Sequence, residues 1–169
     1  MGHDITGPNA KGERIRVEGR VVDGMGAPIK DVLLEVWQAN AGGHYAHPEG
    51  GGDVEEGFRG WGRVISDFDT GEWSFETVKP GMTKGRNVGT QAPHLNFWIV
   101  ARGINIGLNT RMYFGDEAQA NAGDPVLNLI EWKHRRATLI AERSETDGLP
   151  VYRFDIQLQG ENETVFFDV

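Results

Sequence analysis

Cysteine is absent from the 169-residue chain, which excludes disulfide bonds and thiolate metal sites. Long apolar runs are also absent, since no segment approaches the roughly 20 residues that a membrane-spanning helix needs. Basic residues are outnumbered, with 17 Lys and Arg against 25 Asp and Glu and a net charge of −8. This balance argues against nucleic acids and anionic membranes as partners. No basic and apolar targeting segment is visible, so we expect a soluble, cytoplasmic protein.

Several catalytic signatures are missing as well. The chain has no Gly-x-Ser-x-Gly elbow and no glycine-rich phosphate loop that opens a helix. Its five histidines include no pair with the helical i, i+4 spacing of a zinc protease. Serine hydrolases, nucleotide-binding enzymes and zincins are therefore not indicated.

Glycine is abundant, at 24 residues, and it separates short stretches of alternating apolar and polar residues. This pattern is typical of strands joined by tight turns, and it predicts an all-β protein, a β-sandwich of mixed short strands. Asp124 and Pro125 provide a cap and a first-turn proline for one decorating helix within residues 126–142. We expect a tail over residues 1–12, a single domain over residues 13–169, and a loop over residues 80–93. The predicted strands cover residues 14–21, 32–38, 62–66, 73–78, 94–101, 110–114, 151–158 and 164–169.

A few side chains could carry chemistry. His44 and His47 lie in a loop that is rich in glycine, where solvated histidines are more common than metal ligands. His94 and Asn96 share one face of a predicted strand, although His-x-Asn is a poor metal clamp and a hydrogen-bonded histidine is the simpler interpretation. Arg102 and Arg111 lie at strand ends, where each could bind a carboxylate in fork geometry or form a structural ion pair.

A set of motifs, taken in order along the chain, resembles the intradiol ring-cleavage dioxygenases. The most specific string is Glu-Val-Trp-Gln-Ala-Asn at residues 35–40, and the resemblance covers about residues 12–169. Four later segments, residues 101–106, 113–118, 125–131 and 152–156, are similar to the alpha-type subunits of this family in particular. The matching segments are residues 12–15, 19–23, 34–40, 69–73, 79–81, 92–96, 101–106, 113–118, 125–131 and 152–156.

This resemblance implies an iron site that is degenerate in this chain. Catalytic chains of the family hold non-haem Fe(III) through two tyrosines and two histidines, because phenolates are hard anionic donors that stabilise ferric iron. Tyr45 and His94 match one ligand of each kind. Thr83 and Asn96 stand at the other two positions. We therefore expect no metal and no catalytic residue in this chain alone.

The resemblance also implies a partner. Alpha-type subunits pair with a catalytic beta chain that holds the iron, and they form part of the wall of its pocket for a small aromatic substrate. Arg102 matches the alpha-type pocket arginine, and Gln91 replaces an arginine that catalytic chains place near the substrate. The N-terminal arm of alpha-type subunits is not found, since residues 6–8 lack its tyrosine, so we expect the chain to begin downstream of that arm.

Two alternatives stay open at this point. The chain could be a self-sufficient, homo-oligomeric intradiol dioxygenase, against which Thr83 and Asn96 argue. It could also be a non-enzymatic, prealbumin-like binding module, against which the alpha-type match at residues 101–118 argues. A beta-type gene encoded beside this one would distinguish the three interpretations.

Overall fold

The computed structural model describes residues 4–46, 54–85, 89–101 and 107–167. Within these ranges the chain forms eleven strands and four short helical segments. The helical segments are α1 (Ala118–Ala122), α2 (Lys133–Arg136) and the 3-10 turns Leu127–Leu129 and Ala137–Leu139. The strands are β1 (Arg14–Val22), β2 (Val32–Trp37), β3 (Trp61–Ile65), β4 (Glu72–Val78), β5 (Thr83–Gly85), β6 (Gly89–Gln91), β7 (His94–Ala101), β8 (Leu108–Phe114), β9 (Ile140–Thr146), β10 (Leu149–Arg153) and β11 (Ile156–Gln157).

Strand β1 shows why the alternating pattern folds as it does. Its buried residues alternate with half-buried ones along its whole length, as expected for a strand with one face on the core. Ile15 and Val17 are fully buried. Gly19 is required in the same strand, because a Cβ there would lie 1.9 Å from the carbonyl oxygen of Phe154.

Most of the strands join one nine-stranded mixed sheet in the order β11-β1-β10-β9-β8-β7-β2-β3, and β4 pairs with β1. Strand β1 is parallel to β10 and β11, and β8 is parallel to β9, whereas the other pairs are antiparallel. Strands β3 and β4 approach each other, so the sheet is nearly closed. Strands β5 and β6 form a separate hairpin.

The core lies inside this sheet and is centred on aromatic rings. Trp73, Phe75, Phe97 and Phe154 are nearly or completely buried, and their contacting ring centroids lie 5.4 to 6.2 Å apart. Tilted ring pairs at such distances add to the stabilisation from burial. The strands that enclose this core confirm the predicted all-β class. Since alternate residues of β7 point into the core, the remaining residues of β7 lie on its outward face.

The single helix predicted within residues 126–142 is correct only in part, since that range contains three short helical segments. Asp124 does accept hydrogen bonds from the backbone N–H groups of Val126 and Leu127, as a capping residue would. The turn that it caps ends at Ile130, whose backbone is extended. Helix α2 then has only four residues, and the chain enters β9 at Ile140. Strand β9 pairs with β10, and that pairing outweighs the local helical preference.

Two other predicted segments also differ. The predicted loop at residues 80–93 contains the β5–β6 hairpin, and in residues 164–167 only an isolated bridge from Phe167 to Asn109 forms. The segment before β1 packs against the sheet: Ile5 is fully buried, and its N–H donates to the carbonyl of Glu76. The domain boundary at residue 13 stays a prediction.

No helix in the described part of the chain is long and apolar enough to cross a membrane.

Candidate functional site

The outward face of β7 begins with two polar side chains. Leu95, Phe97 and Ile99 point into the core, so His94 and Asn96 share the opposite face at its first positions. Both are buried, with 3% and 8% of their surface exposed. Their cross-strand partners on β8 are Tyr113 and Arg111, respectively. Polar groups from two strands therefore meet at one end of this face.

Tyr45 reaches this face from the loop that follows β2. Its hydroxyl lies 3.4 Å from Nε2 of His94, and the Asn96 side-chain amide donates to it at 3.1 Å. Nδ1 of His94 lies 2.8 Å from the carbonyl oxygen of Ala92. These distances fit a neutral imidazole that donates from Nδ1 and accepts the Tyr45 proton at Nε2. The structure thus brings three of the predicted positions together.

The loop that carries Tyr45 is built around Asn40. The side-chain oxygen of Asn40 accepts hydrogen bonds from the backbone N–H groups of Gly42 and His44. Gly43 has φ +86°, and a Cβ there would lie 2.0 Å from the carbonyl oxygen of Met82. Glycine is therefore needed where the loop passes the segment that leads into β5. His44 is half-buried beside this turn, whereas His47 lies outside the described residues.

Thr83 opens β5 and is the fourth predicted position. It is buried, and its hydroxyl has no hydrogen-bond partner among the described residues. Its strand partner in the hairpin is Gln91, whose side-chain oxygen accepts a 2.6 Å hydrogen bond from Nη1 of Arg111. Arg111 therefore binds neutral oxygens here, and among the described residues it does not form the carboxylate fork considered from the sequence.

A hydrogen-bond network next to the site was not predicted from the sequence. Arg111 Nη1 also donates to the Tyr113 hydroxyl at 3.3 Å, and that hydroxyl donates to Asp124 at 3.1 Å. Asp124 is fully buried, and it also accepts from the backbone N–H of Ala92. The sequence offered Asp124 only as a helix cap. Its role in joining β8 to the start of β7 depends on tertiary contacts.

Burial controls the protonation of the site. It lowers the pKa of His94 to about 4, and the positive charge of Arg111 acts in the same direction. Burial also raises the pKa of Tyr45, while Asn96 and Arg111 oppose that rise. At neutral pH and without a metal, both side chains are uncharged.

The residues at these positions do not fit a metal ion. Tyr45 and His94 are hydrogen-bonded to each other, Asn96 directs an amide N–H at the tyrosine oxygen, and Thr83 brings no phenolate. In the described ranges, no group of three or more His, Cys, Asp and Glu side chains could hold a metal. Arg102 follows directly after β7 but lies outside the described residues.

The strand architecture is that of the intradiol ring-cleavage dioxygenases. A family model described as "Dioxygenase" matches residues 3–160, and the chain belongs to this dioxygenase family. It is 54% identical to the protocatechuate 3,4-dioxygenase alpha chain of Pseudomonas putida over 95% of its own length and 79% of that chain. It is 46% identical to the corresponding alpha chain of Burkholderia cepacia, over 98% and 82% of the two lengths.

More distant relatives fit the same family. The protocatechuate 3,4-dioxygenase beta chain of Burkholderia cepacia is 35% identical over 97% of this chain and 74% of that one. Among solved structures, 3-chlorocatechol 1,2-dioxygenase from Rhodococcus opacus 1CP superposes with a TM-score of 0.71 at 22% identity. That match covers 92% of this chain and 64% of the enzyme, so it supports the fold alone.

Proposed function

We propose that this chain is the alpha subunit of a protocatechuate 3,4-dioxygenase. In this role it pairs with a beta chain, and the assembly cleaves protocatechuate with dioxygen to 3-carboxy-cis,cis-muconate. The observation that carries the proposal is the 54% identity to an alpha chain over nearly the whole sequence. That Burkholderia cepacia has both an alpha and a beta relative of this chain supports the partnership.

We further propose that the non-haem Fe(III) is held by the beta chain. Tyr45, Thr83, His94 and Asn96 are then the degenerate counterparts of an iron site. The side chains of Thr83 and Asn96 support this assignment, because they supply neither the second phenolate nor the second imidazole of a ferric site. The self-sufficient dioxygenase is not favoured for the same reason, and a non-enzymatic binding module is not favoured because the relatives are dioxygenase subunits.

Arg102 is proposed as the residue that this chain contributes to the pocket of the beta chain. Protocatechuate is an anion, so a fixed guanidinium at the pocket would favour its entry. It would also stabilise the further negative charge of a deprotonated catechol. The position of Arg102 directly after β7, the strand that begins at His94, supports the proposal.

The proposal also includes the arrangement of the sheet and the cellular location. The two sides of the nearly closed sheet would form a prealbumin-like sandwich over residues 13–169, which the shared aromatic core supports. A cytoplasmic location is also proposed, with which the absence of cysteine agrees.

Co-expression with a beta-type chain tests the proposed function. The purified pair should contain ferric iron, show the visible absorption of tyrosinate bound to iron, and consume dioxygen with protocatechuate. The alpha chain alone, purified in the same way, serves as the control and should show none of these properties. A lone chain that carried about one ferric ion, with the visible band of a tyrosinate ligand, would contradict the assignment.

A further inference from the structure

Arg111 lies opposite Asn96 and contacts the strand partner of Thr83. It is the direct cross-strand partner of Asn96, so the two side chains share one face with Cβ atoms about 5 Å apart. Its Nη1 donates to Gln91 Oε1, and Gln91 is in turn the strand partner of Thr83. A single guanidinium therefore connects the strand that carries Asn96 with the hairpin that carries Thr83.

In the described part of the chain, no carboxylate contacts Arg111 directly. Among the described residues, its hydrogen bonds go to the uncharged oxygens of Gln91 and Tyr113. The carboxylate of Asp124 is reached only through the Tyr113 hydroxyl. A half-buried positive charge of this kind acts strongly on its neighbours, since the surrounding protein screens it less than water would. Its influence on the pKa of both His94 and Tyr45 agrees with this geometry.

We propose that Arg111 takes the electrostatic place of a metal ion on this face and that its charge excludes metal cations from the position between Tyr45 and His94. A cation bound there would be repelled by the guanidinium opposite Asn96. The exclusion would then have two separate causes, the missing ligands and the built-in positive charge. This inference rests on the proposed assignment of Tyr45, Thr83, His94 and Asn96 as degenerate ligand positions.

Restoring the ligands with and without Arg111 separates these two causes. The first variant of the full chain carries Thr83→Tyr and Asn96→His and keeps Arg111. The second adds Arg111→Gln, which removes the charge but retains a polar side chain. The third adds Arg111→Lys instead, which keeps the charge and serves as the matched control. Each is refolded or expressed with ferric iron, and iron per chain and the visible charge-transfer band are measured after circular dichroism has verified folding.

We expect the first and third variants to remain without stoichiometric iron and the second to bind roughly one ferric ion with a visible band. Uptake of iron by the variant that retains Arg111 would overturn the proposal, because the missing ligands alone would then explain the exclusion. Absence of iron from a folded second variant would also overturn it. If Arg111→Gln prevents folding, Arg111→Met, which has a similar reach and no charge, replaces it.

The outcome is independent of the test of the proposed function. Assembly with a beta chain and cleavage of protocatechuate are measured on the chain without these substitutions. Iron content is measured on the alpha chain alone. Failure of the exclusion proposal would therefore leave the subunit assignment standing, whereas a lone unmodified chain that binds iron would remove that assignment.

Discussion

The hydroxyl oxygen of Tyr45 lies 3.4 Å from Nε2 of His94, and His94 is 3% exposed. The histidine is thus held between Tyr45 on one ring nitrogen and the carbonyl of Ala92 on the other. Both contacts suit a neutral ring, since a tyrosine hydroxyl that donates to Nε2 requires that nitrogen to be unprotonated. The pair is therefore a closed structural contact, and its stability depends on the protonation of His94.

This contact predicts an acid-sensitive stability. The pKa of His94 falls from its usual 6.5 to about 4 in the folded chain, chiefly through burial. Between these two values the unfolded chain takes up a proton that the folded chain resists, so the free energy of unfolding decreases as the pH falls from about 6.5 to about 4. The expected loss is on the order of 2–4 kcal/mol. Urea unfolding at a series of pH values measures it.

The same measurement on His94→Gln isolates the contribution of this residue. The variant should be less stable at neutral pH, because it loses the packing against Tyr113. Its stability should depend less on pH across this window. An equally steep acid dependence in the variant would show that other groups cause it.

The next prediction concerns how far the backbone of the Tyr45 loop tolerates a side chain at Gly43. Gly43 and Gly26 both have positive φ, at +86° and +81°. A Cβ at Gly43 would lie 2.0 Å from the carbonyl oxygen of Met82, whereas nothing lies within 4 Å of one at Gly26. Gly26→Ala should therefore cost about 1–2 kcal/mol of backbone strain alone. Gly43→Ala should cost about 1–3 kcal/mol more, because the backbone near Met82 must also move.

Urea unfolding of both variants compares the two costs directly. Because Gly43 and Met82 belong to the segments that carry Tyr45 and Thr83, the loss should be accompanied by a changed environment of Tyr45. Nuclear magnetic resonance of the tyrosine side chains would detect that change. Equal destabilisation of the two alanine variants would mean that the close approach to Met82 does not constrain the loop.

Exposed apolar side chains predict where the beta chain packs. Ile65 and Val100 are 71% and 37% exposed, and both pair with Leu33 in the sheet, so the three form one apolar row on the outward face. This row lies on the same face of β7 as Asn96. Stable subunit interfaces bury large apolar areas, and the proposed beta chain is the occupant that this row fits.

Ile65→Lys should weaken assembly with the beta chain by at least about tenfold, since it would place a charge in an apolar contact. The isolated chain should lose less than about 0.5 kcal/mol, because Ile65 is largely exposed there. Met25→Lys is the control, as Met25 is 93% exposed in the turn between β1 and β2. Size-exclusion chromatography and native mass spectrometry of the co-expressed chains measure assembly. Unchanged assembly of the Ile65 variant would exclude this row from the interface.

The fold could be predicted where a single segment carries its own signal. Alternation in residues 14–21 marked β1 correctly, because one face of that strand is buried along its length. Strand β9 was missed, although Asp147 and Gly148 form the Asp-Gly turn that is typical of a two-residue hairpin. The polar helix-like stretch that precedes Ile140 concealed that signal. Local preference was overruled there by pairing with a distant strand.

The site could be predicted only in part for a related reason. His94 and Asn96 lie two residues apart on one strand, so their shared face follows from the sequence. The contact between Arg111 and Gln91 depends on how β8 is placed against the β5–β6 hairpin. No spacing in the sequence encodes that placement. The sequence showed only that several predicted strands carry polar residues. Predicting which of these residues meet would have required the register between the strands.

Arg102 gives the prediction that bears most directly on the proposed activity. In the complex with a beta chain, Arg102→Ala should lower kcat/KM for protocatechuate by roughly tenfold or more, which corresponds to one charge-assisted contact of about 1.5–3 kcal/mol. Iron content and assembly should be unchanged, because the residue would act on the substrate. Arg102→Lys keeps the charge without the guanidinium fork and should recover part of the loss. A variant that assembles with full iron and unchanged kcat/KM would remove Arg102 from the pocket, whereas failure to assemble would make it an interface residue.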